Sequence, residues 1–126
     1  MPTTIKDMLA DANAAVPRLQ PQQAQAQLAQ GGAVLLDVRD PSEVAASGKI
    51  AGAIAVSRGM LEFRADPASP SHHPTLRTDA PVLIYCGSGG RAALAGRTLK
   101  ELGYTQVFNA GGFKELADAG LKIEPA

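Results

Sequence analysis

Four short apolar runs recur along the chain: AVLLDV (33–38), AIAV (53–56), PVLIYC (81–86) and QVFNA (106–110), with helix-like stretches between them. Runs this short, bounded by glycine, proline or polar residues, read as strands buried on both faces, the kind a parallel sheet requires. PVLIYC is the strongest of them and AIAV the weakest. Residues 16–19 are a candidate edge strand. The intervening stretches carry helix punctuation. In RDPSEVAAS, Asp40 stands at the N-cap, Pro41 at the first helical position and Glu43 three residues after the cap, a capping-box pattern. PQQAQAQLAQGG starts at Pro21 and stops at Gly31. GRAALAGRTLKELGY sets Ala92, Ala95, Leu99 and Leu102 on one face and stops at Gly103, and GGFKELADAG stops in the same way at Gly120. Residues 3–13 read as an additional amphipathic helix within an N-terminal stretch of residues 1–15. Alternating strands and helices imply an α/β domain, with a mostly parallel central sheet of four to five strands and helices on both faces. In such sheets ligands sit beyond the carboxyl ends of the strands.

Composition narrows the function. A chain of 126 residues suits one domain over 1–126, and 45% apolar with 19% charged residues reads as folded and soluble. Zero formal net charge gives no reason to expect nucleic acid or an anionic membrane as partner. The apolar runs are too short to span a bilayer. The first twenty residues include Asp7 and no sustained apolar stretch, unlike a secretory signal. The one cysteine, Cys86, allows neither an internal disulfide nor a multi-cysteine zinc site, and a reducing cytoplasm is the expected compartment. Residues 57–80 break the strand–helix rhythm. GMLEFR is long enough for one or two helical turns; the remainder, with Pro67, Pro70 and Pro74, reads as a loop that could act as a lid. Met8, Met60 and Phe63 are expected to pack in the core or the lid. His72 and His73 have no carboxylate or cysteine at ligand spacing, so they read as loop histidines, and no metal or cofactor is expected.

The chemistry concentrates in YCGSGGR. A strand ends at Cys86, a helix begins near Arg91, and Gly87, Ser88, Gly89 and Gly90 between them are small. Glycines let such a loop turn its N–H groups inward, and the helix start adds unsatisfied N–H groups and the positive end of its dipole. An anion is favoured at the centre of this cradle. If the anion is the Cys86 thiolate, with Arg91 adding positive charge, the result is a nucleophilic sulfur suited to attack a sulfane sulfur, store it as a persulfide and release it. The alternative is a buried, inert cysteine in an ordinary strand-to-helix turn.

These stretches resemble the rhodanese (sulfurtransferase) family in its single-domain form, from about residue 17 to residue 120. LLDVRDPSEVAASGKIAGAIAV is similar to the family's strand-end D-V-R, acidic helix start and G-H-I-P-G-A-x-N segment. VLIYCGSGGRAALAGRTLKELGYTQVFNAGGF is similar to its active-site loop, the helix behind it and the closing G-G-aromatic. The resemblance implies a rhodanese-like three-layer domain and a double displacement without a cofactor. Cys86 would take sulfur from a small donor, thiosulfate or a mercaptopyruvate-like compound, and pass it to cyanide or a thiol. By this likeness Gly87, Ser88, Gly89, Gly90 and Arg91 bind the substrate, while Asp37 and Arg39 brace the loop. Arg58 and Arg64, near the lid segment, are candidates for attracting an anionic donor, with Glu62 between them as an ion-pair partner. Lys49 and Ala51 replace the histidine and proline of G-H-I-P-G-A, and Phe113 replaces the usual closing tryptophan. Gly87 stands where many thiosulfate-using members carry a basic residue, so the loop does not name the donor. With one cysteine, the acceptor thiol comes from outside or from another subunit, as in a homodimer.

Two other functions fit parts of this pattern. A cysteine-dependent phosphatase or arsenate reductase uses a similar cradle, with five residues between cysteine and arginine; here there are four, and Tyr85 stands where many phosphatases carry histidine. A non-catalytic rhodanese-like module would bind a partner or sense an anion.

Overall fold

The computed structural model describes residues 2–126. Its centre is a parallel sheet of four strands in the order β3-β1-β4-β5. These are β1 (Val34–Asp37), β3 (Ile54–Ala55), β4 (Val82–Cys86) and β5 (Val107–Gly112). Beyond β5, Arg18 forms a single parallel bridge to Asn109, where residues 16–19 were expected to form an edge strand. The Asn109 N–H donates to the Pro17 carbonyl and the Leu19 N–H to the Asn109 carbonyl, both at 2.9 Å.

Side chains alternate across the sheet with the period of two that a strand imposes. Leu36, Ile84 and Cys86 face one apolar layer with Val16, Leu61, Leu76 and Leu99. That layer is covered by α1 (Ile5–Ala15), α4 (Leu61–Ala65) and α5 (Gly90–Glu101). Leu35, Leu83 and Tyr85 face the other layer with Ala24, Ile50 and Leu116, beneath α2 (Pro21–Gln30) and α6 (Phe113–Asp118). Helices therefore lie on both faces of a mostly parallel sheet, as the strand–helix alternation implies.

The helices start where their sequences provide caps. Thr4 Oγ1 accepts the Asp7 N–H at 3.1 Å and Asp7 Oδ2 accepts the Thr4 N–H at 3.2 Å, closing a capping box on α1. At the start of α3 (Pro41–Ser47), whose first residue is Pro41, the Asp40 N–H donates to Glu43 Oε1 at 3.2 Å and the Glu43 N–H to the Asp40 carbonyl at 3.0 Å. At Gly96, an added Cβ would lie 2.9 Å from both methyls of Val16, so the absence of a side chain lets α5 lie against the end of α1.

Three features depart from the sequence pattern. First, β5 runs two residues past the apolar run, because a bulge opposite Ile84 and Tyr85 shifts the register and pairs Gly111 with Tyr85 and Gly112 with Cys86. Second, a small antiparallel sheet joins β2 (Lys49–Ile50) to β6 (Ile123–Glu124), closed by the Lys49–Glu124 ion pair. Third, Met8, Met60 and Phe63 are about half exposed rather than packed in the core. In the 57–80 segment a 3-10 turn (Arg58–Met60) leads into α4, which buries Leu61 and Ala65 one turn apart and so points Phe63 outward. Leu76 is also fully buried, and the Tyr104 hydroxyl donates to the Ala65 carbonyl at 2.7 Å. Among the described residues no helix is long and apolar enough to cross a membrane.

Candidate active site

The parallel sheet brings the carboxyl ends of β1, β4 and β5 to one edge, and the nominated loop is there. Cys86 is the last residue of β4 and is 1% exposed. Gly87 and Ser88 follow as exposed residues, Gly89 is the buried N-cap of α5, and Gly90 and Arg91 open the helix. The Gly89 N–H donates to Cys86 Sγ at 3.0 Å. To aim that N–H back at the sulfur, Gly89 takes a φ of +107°, a left-handed conformation costly for a residue with a Cβ. The start of α5 adds its free N–H groups and dipole on the same side.

The loop is held from beneath by residues that sequence reading passed over. Asn109, buried in β5, donates Nδ2 to the Gly89 carbonyl at 3.0 Å and accepts the Gly111 N–H at 2.9 Å. A polar residue inside the apolar run QVFNA is the signal that could have singled it out. Gly112 touches the loop backbone: a Cβ there would lie 2.4 Å from the Gly87 carbonyl oxygen. The Arg18 guanidinium lies over Gly89 and Gly111, within 2.7 and 2.9 Å of where their Cβ atoms would be, and pairs with Glu115 at 3.3 Å.

Asp37 and Arg39 form a buried ion pair. Arg39 Nη2 and Asp37 Oδ2 are 2.8 Å apart, and Arg39 Nε reaches both carboxylate oxygens at 3.1 Å. The guanidinium also donates to Ser47 Oγ and the Gly48 carbonyl, both at 2.8 Å. It stacks 4.2 Å from the Phe113 ring centre and 5.7 Å from that of Tyr85, which immediately precedes Cys86. The hydrogen bonds to every side compensate the burial of both charges. The Asp37 carboxylate accepts at both oxygens from Arg39.

Arg91 is on the loop rim, and its guanidinium is already engaged. Nη1 and Nη2 lie 2.5 and 3.0 Å from Glu43 Oε1 and Oε2 of α3. That hydrogen bonding holds the Glu43 carboxyl at about 2, well below the usual carboxylate range, and pushes Arg91 up. Glu43 was legible as a helix cap but not as a partner of the loop, because the two residues are 48 positions apart.

Arg58 and Arg64 make their side-chain hydrogen bonds to residues outside 86–91. Arg58 pairs with Glu62 at 3.1 Å and donates to Thr98 Oγ1 at 3.0 Å; Thr98 lies eight residues along α5 from Gly90, roughly 12 Å at 1.5 Å per residue. Arg64 reaches the Ser71 carbonyl at 3.4 Å and lines a hollow of about 340 Å³ with Pro41 and Met60. This hollow and two others, of about 280 and 380 Å³, have no lining residue from 86–91. In the loop, His72 and Leu76 meet through an imidazole nitrogen and a carbonyl oxygen 2.7 Å apart.

Comparison with known proteins places the chain in a family. The family model described as the rhodanese-like domain matches residues 20–119. The thiosulfate sulfurtransferase GlpE of Ectopseudomonas mendocina (strain ymp) is 32% identical over 109 residues, covering 86% of this chain and 91% of that protein. YqhL of Bacillus subtilis (strain 168) is 37% identical over 84 residues, covering 66% of this chain but only 60% of the relative's length. The solved structure of RPA3614 from Rhodopseudomonas palustris CGA009, described as a possible tyrosine phosphatase, superposes with a TM-score of 0.87 at 40% identity, covering 98% of this chain and 99% of that one. The family model spans most of the chain and includes the strand-end cysteine loop, the Asp37–Arg39 pair and the closing glycines, so the chain belongs to the rhodanese-like domain family.

Proposed function

We propose that this protein is a sulfurtransferase that carries a sulfane sulfur as a persulfide on Cys86. The observation that carries the reading is the Gly89 N–H aimed at Cys86 Sγ, 3.0 Å away, at the end of a buried strand. A donor held there supports negative charge on a sulfur at the loop centre. With thiosulfate as donor, the Cys86 thiolate attacks the outer sulfur, a new S–S bond forms, and the old S–S bond breaks with its electron pair leaving on sulfite. An external thiolate or cyanide then attacks the outer sulfur of the persulfide, and Cys86 departs as the thiolate. Gly87, Ser88, Gly89, Gly90 and Arg91 form the binding rim in this scheme, and Asp37 with Arg39 keeps Tyr85 and the loop in place. Neither half-reaction needs a cofactor or metal. With mercaptopyruvate as donor, the thiolate attacks its sulfur, the C–S bond breaks, and the electron pair leaves on the enolate of pyruvate, which takes up a proton. Because the chain has one cysteine, the accepting thiol belongs to another molecule or another subunit, and a reducing cytoplasm would keep Cys86 free.

The neighbour described as a possible tyrosine phosphatase brings the second reading to the same loop. Against it, four residues rather than five separate Cys86 from Arg91, and the guanidinium is turned to Glu43. Thiocyanate formation from thiosulfate and cyanide, set beside hydrolysis of an aryl phosphate, separates the two. Sulfur transfer with double-displacement kinetics supports the proposal; phosphate release without thiocyanate overturns it. A binding module without catalysis would give neither product.

A further inference from the structure

The ion pair on the loop rim makes and breaks no bond in the sulfur chemistry just described, yet it stands beside the nucleophile. It crosses Gly87, the residue after Cys86: a Cβ there would lie 3.0 Å from Arg91 Nη2 and 3.8 Å from Glu43 Oε2. The two side chains are 37% and 36% exposed, so a ligand approaching the loop meets both charges together. The other arginines around the loop are paired as well, Arg39 with Asp37 and Arg18 with Glu115. A free guanidinium in this place would favour a doubly charged anion over a singly charged one; a neutralised guanidinium does so far less.

We propose that Glu43 is a specificity-determining residue, which neutralises Arg91 beside Cys86 and so disfavours dianionic sulfur donors relative to donors of lower charge. The inference rests on the sulfurtransferase reading and refines its substrate class. With no side chain at Gly87, the pair lies close over the loop backbone.

The test compares thiosulfate, a dianion, with methanethiosulfonate, in which a methyl group replaces one anionic oxygen. In both, the Cys86 thiolate takes the outer sulfur as the S–S bond breaks, and the electron pair leaves on sulfite or on methanesulfinate. Glu43→Gln keeps a carbonyl oxygen for the Asp40 N–H while removing the charge. At a partly exposed site, removing one negative charge is worth about threefold per unit of donor charge. The expected kcat/KM therefore rises about tenfold for thiosulfate and about threefold for methanethiosulfonate, so their ratio rises about threefold, and less in high salt. Any change in the reactivity of Cys86 itself cancels in that ratio, which a purely structural role would leave unmoved. Glu43→Ala removes the same charge, is expected to raise the ratio by a similar factor, and decides the matter if Glu43→Gln does not fold. An unchanged ratio in a folded variant overturns the inference while leaving the sulfurtransferase reading intact. A wild-type protein that takes sulfur from neither donor overturns both.

Discussion

At the scale of single residues, the site depends on glycines that have separate reasons to be there. Gly89 is needed for its backbone angle, and Gly112 for contact with the loop from below. Gly112 gives the clearest prediction. In Gly112→Ala the new methyl would sit 2.4 Å from the Gly87 carbonyl oxygen, a backbone atom that can move only by displacing the loop. The expected cost is about 1–3 kcal/mol in urea unfolding, and sulfur transfer should fall more than tenfold as the Gly89 N–H loses its aim. Wild-type activity in that variant would show that the loop tolerates the displacement. The placement of Cys86 at a strand end, before a glycine loop and a helix start, was legible because cysteine, glycines and arginine are contiguous. Asn109 was not, since its two hydrogen bonds run to Gly89 and Gly111 and appear only once β5 lies beside the loop. Arg58 was read as a candidate for attracting an anionic donor, and the fold hydrogen-bonds its guanidinium to Thr98, in the C-terminal half of α5.

At the scale of elements, α5 presents its N-terminus to the cysteine loop and is clamped along its length by α1. Gly96 is the close-approach point, with Val16 and Val107 methyls 2.9–3.2 Å from where a Cβ would be. Gly96→Ala should destabilise the protein by about 1–3 kcal/mol. Val16→Ala in the same chain should recover part of that loss, because the two changes share one space and are not additive. Thermal or urea unfolding of both single variants and the double variant checks this; strict additivity would contradict the packing. The long strands and helices were readable because each repeats its period several times. The two-residue strands β2 and β6 have no period to read, and they pair across a separation of more than seventy residues. The register shift between β4 and β5 was hidden for a related reason: nothing local marks a bulge that exists only between two strands.

At the scale of the whole molecule, paired charges define both the stability profile and the site. Glu43 is held at about 2 in the fold against an ordinary value of 4.5, chiefly by its hydrogen bonds to Arg91. A carboxylate depressed in the folded state contributes stability that is fully present above its unfolded value and lost as pH falls through the folded one. The difference in unfolding free energy between wild type and Glu43→Gln should therefore be flat above about pH 5.5, shrink below about 4.5 and vanish near 2. Partial exposure of both side chains keeps it to about 1 kcal/mol or less. Urea midpoints across that range test the sign, and a difference that grows on acidification would contradict the pairing. The three-layer α/β architecture was implied by alternation alone, whereas the neutralisation of the rim arginine needed the fold, because α3 and α5 meet only in three dimensions. The central claim is a persulfide on the single cysteine, and intact-protein mass spectrometry after incubation with thiosulfate or mercaptopyruvate addresses it most directly. The account predicts a gain of one sulfur atom, removed by cyanide and absent in Cys86→Ser. A folded wild-type protein that gains no sulfur from either donor would contradict it.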